Sequence, residues 1–196
     1  MPILRTYHTD PEGVLSFREA WFDEEQEQFV LNRGQVGQIA ETPIVEDEVT
    51  AEAGASLLEA FAQQCEDDGY AELEVEEQYW MYLRFPLKTT DGSARDRSLR
   101  DALLGGLTGH LAWRGLGTVE GATFGPSRLT ITVLTPAPKQ AIKATISCVR
   151  DFAKSDLTKA VIAIAPGADP ADAHIKHPAP SRDAFPVDAP QDSDEA

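Results

Sequence analysis

Apolar and polar positions alternate from Leu15 to Phe22. Leu15, Phe17, Glu19 and Trp21 fall on one side of an extended segment, with Ser16, Arg18, Ala20 and Phe22 on the other. Both sides carry aromatics near a polar turn at Asp23–Gln26, and Gln28–Asn32 returns as the second strand of a hairpin. "QVGQIAETPIV" continues as an extended segment after Gly34, and "ILRTYH" near the start supplies a further strand, giving an antiparallel sheet of three or four strands. The period then changes. "TAEAGASLLEAFAQQCEDDG" predicts a helix with Thr50 as its N-cap, a stripe of Gly54, Leu57, Leu58, Phe61 and Cys65, and Gly69 as its stop. One helix then covers one face of the sheet.

"YAELEVEEQYWMYLRFPL" alternates again, but its phase slips at Glu76 and Glu77, so a bulge or a domain junction is expected there. Beyond it the pattern predicts a strand (Tyr79–Phe85), a helix (Ser98–Arg114), a short strand within a glycine-rich stretch (around Gly117–Gly121), a strand (Arg128–Thr135), a helix (Pro138–Ala153) and a strand (Lys159–Ala165). This β-α-β-β-α-β order is that of the ferredoxin-like fold, with two helices on one sheet face and the other face open. Gly105 and Gly106 inside the first of these helices each cost about 1 kcal/mol against alanine, and a close helix-to-sheet approach would account for them. After Pro166 the chain is rich in Pro, Ala and Asp, which predicts a disordered acidic tail with its single aromatic, Phe185, in solvent. The predicted organisation is α+β. It comprises a small sheet-plus-helix domain (1–77), a ferredoxin-like domain (78–166) and a tail (167–196).

The front half resembles the WGR domain, a sheet-plus-helix module of DNA-dependent poly(ADP-ribose) polymerases and of many bacterial proteins. The resemblance covers about Leu15 to Tyr70. It rests on the aromatic strand pair "FREAWFDEEQEQFVLN", the glycine-containing "RGQVGQ" and the helix ending in Gly-Tyr, "FAQQCEDDGY". The triplet Trp-Gly-Arg is replaced by Arg33, Gly34 and Gln35, so this WGR-like domain lacks the aromatic and the phosphate-contacting arginine at those positions. "ALLGGLTGHLAWRGLGTVEGATFGPSRLTITVLT" is similar to uncharacterised bacterial ferredoxin-like domains, some of which look like immunity proteins of toxin systems. "GLGTVEG" has no P-loop lysine and leads into a strand, so it is read as a tight turn.

Charge changes the functional picture. The net charge is −16, distributed unevenly: residues 1–80 hold 20 acidic and 3 basic residues, residues 81–165 hold 6 and 12, and residues 166–196 hold 7 and 2. Phosphate contacts supply most nonspecific nucleic-acid affinity, and three basic residues cannot collect enough of them, so the front half is not expected to bind polyanions. A cationic protein is the expected partner. The candidate partner-binding residues are Glu24, Glu25, Glu46, Asp47 and Glu48, together with Glu72, Glu74 and Glu76, which would share a face if "YAELEVE" were a strand.

Trp80, Tyr82 and Arg84 fall on the strand face opposite Tyr79, Met81, Leu83 and Phe85. Packing of the acidic front domain over this face is expected, with Trp80 as a pivot and a further partner-contact candidate. In the alternative reading, the basic back half is a nucleic-acid or nucleotide adaptor, with Arg84, Arg95, Arg97, Arg100, Arg114 and Arg128 as phosphate contacts. Neither Cys65 nor Cys148 has a partner at metal or redox spacing, and both are read as small buried hydrophobes. His8, His110, His174 and His177 form no catalytic or metal-binding motif, and no cofactor is expected. No apolar run approaches the roughly 20 residues of a membrane span and no secretory leader is visible, so a cytoplasmic location is expected. The functional expectation is a non-catalytic protein-binding module, of the immunity type, that neutralises a basic partner.

Overall fold

The computed structural model describes residues 3–181 and 185–187. The chain is α+β and divides into two compact units. One comprises residues up to Glu74 together with His110–Leu116, and the other comprises Val75–Gly109 together with residues from Gly117 onward. Among the described residues no helix is long and apolar enough to cross a membrane.

The first unit is a four-stranded antiparallel sheet in the order β1 (Leu4–Thr9), β2 (Leu15–Asp23), β3 (Gln28–Gln35) and β4 (Ile44–Glu46), with one helix, α1 (Ala51–Asp67). The hairpin forms where the alternation predicts it. Asp23 Oδ1 accepts the backbone N–H groups of Glu25 and Gln26, both at 3.1 Å, an arrangement that turns the chain locally. Ala20 pairs with Leu31 and Phe22 with Phe29, so these four side chains share a face, and Leu57, Leu58 and Phe61 of α1 pack against them. Thr50 caps the helix by accepting from Ala53 N–H, and Gly69, with φ +78°, follows the C-terminal residue Asp68. Gly54 lets the helix approach closely: a Cβ there would lie 2.6 Å from the Phe22 ring.

The other face of this sheet packs on the last turn of a later helix and the turn that follows it. Tyr7 Oη donates to the Gly115 carbonyl at 3.3 Å, while Gly37 N–H and Ala40 N–H donate to the Arg114 and Trp113 carbonyls, each at 2.8 Å. Burial of Tyr7 pushes its phenol pKa up.

The second unit is a five-stranded antiparallel sheet of order β6-β7-β5-β8-β9, with two helices. Its elements follow the chain as β5 (Tyr79–Pro86), α2 (Ala94–Ala112), β6 (Thr118–Gly125), β7 (Arg128–Thr135), α3 (Pro138–Phe152), β8 (Val161–Pro166) and β9 (His174–His177). The final residues of α2, from His110, group with the first unit. Met81, Leu83 and Phe85 pair with Val133, Ile131 and Leu129 on one buried face. Burial of such side chains stabilises by about 1.5–3 kcal/mol each, and α3 lies on this side, where Thr145 Oγ1 reaches Met81 Sδ at 3.8 Å.

Several expectations are corrected. Residues 70–77 are not a strand: Ala71 makes a single bridge to Tyr7, and Val75–Glu77 is a 3-10 turn at the phase break. Helix α2 begins at Ala94 rather than Ser98. Ser93 and Asp96 form a reciprocal cap, Ser93 N–H donating to Asp96 Oδ2 at 2.8 Å and Asp96 N–H to Ser93 Oγ at 3.3 Å. Gly106 serves helix-to-helix rather than helix-to-sheet contact, because a Cβ there would meet Phe152 and Cys148 of α3. Part of the segment assigned to a disordered tail pairs with β8 as β9, and residues 182–184 and 188–196 of that tail lie outside the described residues. Phe185, expected in solvent, is buried at 4% exposure.

Candidate functional site

Five of the candidate carboxylates gather at one end of the first sheet. Glu24 and Glu25 sit in the β2–β3 turn, which closes at Asp23 and Gln28. Glu46 pairs with Phe29, one residue from that turn. The chain then runs past the turn. Gln28 Nε2 donates to Asp47 Oδ1 and Val49 N–H donates to the Glu27 carbonyl, both at 2.8 Å. These contacts bring Glu46, Asp47 and Glu48 beside Glu24 and Glu25, and all five are exposed. Glu27, at φ +51°, adds a sixth carboxylate to the same turn. Along the neighbouring edge strand, Ile44 and Val45 are 58% and 46% exposed. An acidic end therefore adjoins an apolar, open sheet edge.

The remaining acidic candidates do not join this group by pairing. Glu72 and Glu74 occupy the irregular segment after Ala71, and Glu76 lies in the 3-10 turn, so the common strand face expected for them is absent. On the α1 side of the first unit, an open cleft of about 310 Å³ is lined by Leu31, Ile44 and Phe61 among others. Its charges are internally matched: Arg18 pairs with Asp68 at 2.5 Å and Arg33 with Glu41 at 2.9 Å. The Arg18 hydrogen bond holds the Asp68 carboxyl below its ordinary pKa. This cleft thus lacks the unbalanced charge of the sheet end.

Sequence reasoning missed a buried ionic group in the same unit. Glu19, 2% exposed, accepts from Arg5 at 2.6 Å and from Asn32 Nδ2 at 2.7 Å across three adjacent strands. The alternation placed Glu19 on the Phe17 and Trp21 side, but its charge partner emerges only from the register that sets Arg5 opposite Glu19.

In the second unit, the aromatic face is packed by the chain's own Ala173, Ile175, Phe185 and Val187, where the front domain was expected. Tyr82, Ala163, Ala165, Ala173 and Phe185 form one buried cluster, with Trp80 packed against it. Trp80 Nε1 donates to the Gly167 carbonyl and Tyr82 Oη to the Pro170 carbonyl, both at 3.3 Å. Burial raises the Tyr82 phenol pKa.

The six candidate arginines are not brought to one place. Arg84 is on the covered face and Arg128 opens β7 opposite Pro86 and Gly125. Arg95 pairs with Asp156 at 2.8 Å, Arg97 donates to the Gly92 carbonyl, and Arg100 donates to Asp101 and lies over the Phe124 ring. Arg114 belongs to the first unit and donates to the His110 carbonyl. Among the described residues there is no cluster of three or more His, Cys, Asp or Glu arranged to hold a metal ion. Both cysteines are free and buried.

Comparison with known proteins finds no matching family model, no significantly similar curated sequence and no significantly similar solved structure.

Proposed function

We propose that the protein is a non-catalytic, stoichiometric binding module that holds a basic protein against the acidic end of its first sheet. The observation that carries this reading is the convergence of Glu24 and Glu25 with Glu46, Asp47 and Glu48, two groups about twenty residues apart in sequence joined by the Phe29–Glu46 pairing. Clustered surface carboxylates accelerate encounter with a cationic surface and penalise wrong partners. The neighbouring Ile44 and Val45 supply the apolar contact area that charge alone does not. Neutralisation of a basic toxin or nuclease in the manner of an immunity protein is the biological form we infer, and it is supported by the same convergence.

The finer fold assignment is part of this proposal. The β6-β7-β5-β8 order, with a helix after β5 and another after β7, supports a ferredoxin-like second unit to which β9 adds an edge. The sheet with one covering helix supports a WGR-like first unit whose polyanion chemistry has been lost. The adaptor reading has less support, because Arg84, Arg95 and Arg100 spend their donors inside the chain.

The test is capture of partners by the full chain and by a variant carrying Glu24→Lys, Glu25→Lys, Glu46→Lys, Asp47→Lys and Glu48→Lys. A basic protein retained only by the unmodified chain, with an association rate that falls as salt rises, is the expected result. Identical capture by both chains, or an on-rate indifferent to ionic strength, overturns the reading.

A further inference from the structure

Phe185 is the only aromatic residue after Pro166, yet it occupies a formed site on the second unit's sheet. Its ring stacks on Tyr82 with centroids 6.0 Å apart and planes 23° from parallel, and the Arg84 guanidinium lies 3.8 Å from its centroid. The backbone is also engaged: Phe185 N–H donates to the Ala173 carbonyl at 3.0 Å, and Arg84 Nη2 donates to the Pro186 carbonyl at 2.7 Å. Small residues, Ala163 and Ala165 of β8 and Ala173, share the buried cluster with the ring, and Val161 and Ile175 pack against it. Arg84 is itself steadied, its Nε donating to Thr130 Oγ1 at 3.2 Å.

The site therefore engages three features of its occupant: an aromatic ring, the N–H of that same residue and the carbonyl of the next. Any extended peptide with an aromatic residue offers these, and buried aromatic and arginine side chains are enriched among the energetic centres of protein interfaces. The occupying residues 185–187 add no strand to the sheet. A layer that is permanently part of a fold ordinarily seals a sheet face with a helix or a hydrogen-bonded strand. Among the described residues, one ring and two hydrogen bonds, one of them charge-assisted, hold the segment, which is the scale of a displaceable contact.

We propose that this face is a docking site for an extended aromatic-proline peptide of another protein, and that Phe185–Val187 is its built-in occupant, exchanging with that peptide. The segment sets a threshold, since apparent affinity for the incoming peptide falls by the fraction of molecules in which the site is closed. This proposal concerns the second unit and does not depend on the acidic end of the first.

The experiment uses the full chain and a synthetic peptide with the sequence of residues 181–190, SRDAFPVDAP. Phe185→Ala, which vacates the site, is expected to bind this peptide with a Kd at least ten times lower than the unmodified chain, and Arg84→Ala added to Phe185→Ala to abolish the gain. Equal binding by the unmodified chain and Phe185→Ala overturns the proposal, as does a gain that survives loss of Arg84. Should Phe185→Ala fail to fold, hydrogen exchange of the unmodified chain decides. The Phe185 amide is expected to be protected at least tenfold over an unstructured peptide and to exchange at least tenfold faster than the amides of β5. Exchange as slow as β5 would make the segment a fixed layer, and exchange without protection would leave the site without an occupant; either result overturns the proposal.

Discussion

Arg5 and Glu19 stand directly opposite each other on β1 and β2, and two guanidinium nitrogens of Arg5 reach the same buried carboxylate oxygen at 2.6 Å. Removing one member of such a pair leaves an uncompensated charge, at a cost of about 3–5 kcal/mol, while replacing both can be nearly neutral. Arg5→Met is therefore expected to lower unfolding stability severely. Arg5→Met with Glu19→Gln, which keeps an acceptor for Asn32, is expected to recover at least half of the loss. Urea unfolding of the two singles and the double measures this; strictly additive losses would refute the coupling.

Two glycines only twelve residues apart should respond in opposite directions to alanine. Gly105 lies inside α2 with nothing within 4 Å of where a Cβ would stand, so Gly105→Ala should stabilise by up to about 1 kcal/mol through helix propensity. At Gly117, φ is +105° and a Cβ would collide with the Leu134 carbonyl oxygen, a backbone atom that cannot swing aside. Gly117→Ala should destabilise by at least about 1–3 kcal/mol, the range for strained backbone positions. Thermal unfolding of each single variant reads both signs.

The two thiols should be silent in the folded protein. Cys65 and Cys148 are 1% and 0% exposed, and burial, helped by nearby Asp151, pushes the Cys148 thiol up to about 11. Since the thiolate is the reactive form, a thiol reagent such as DTNB at neutral pH should titrate no cysteine in the native chain and two after denaturation. Rapid native modification of either would contradict the described packing.

Asp156 supplies a pH-dependent contribution. Burial alone would raise its pKa, but hydrogen bonds from Lys159 and Arg95, both at 2.8 Å, and from Ser155 hold it below its ordinary value of 3.8. A depressed native pKa means that the stabilisation is complete above 3.8 and is lost as pH falls through the lowered native value. Asp156→Asn should therefore be less stable than the unmodified chain at pH 7, with the difference shrinking below pH 3.8. Urea midpoints at pH 7 and pH 3 report it, and a gap of constant size would contradict this assignment.

Much of the fold is encoded locally and could be read from the chain. Asp23 turning the hairpin, Thr50 and Gly69 bounding α1, Arg128–Thr135 as a strand and Pro138 opening α3 each follow from a few adjacent residues. The misreadings arise where a distant partner decides. "HIKH" lies among Pro and Asp residues whose average composition hides a four-residue strand, and only β8 gives it a ladder. Gly106 signals close approach without saying that α3, about forty residues later, is the neighbour. The start of α2 was available locally in Ser93 and Asp96 but was outweighed by the leucine stripe from Leu99 onward. For the acidic site the residue types were evident, whereas the pairing that separates Glu24, Glu25, Glu46, Asp47 and Glu48 from Glu72, Glu74 and Glu76 was not.

The five-stranded sheet leaves little for a stray chain to extend. Its β6 edge is interrupted by a register shift between Val119 and Gly121, and its β9 edge is four residues long and carries Lys176. Broken and abbreviated borders of this kind deny fibrillar growth a template, so the apolar interior of the second unit can be rich in Ile, Leu and Val without making this sheet prone to stacking edge to edge.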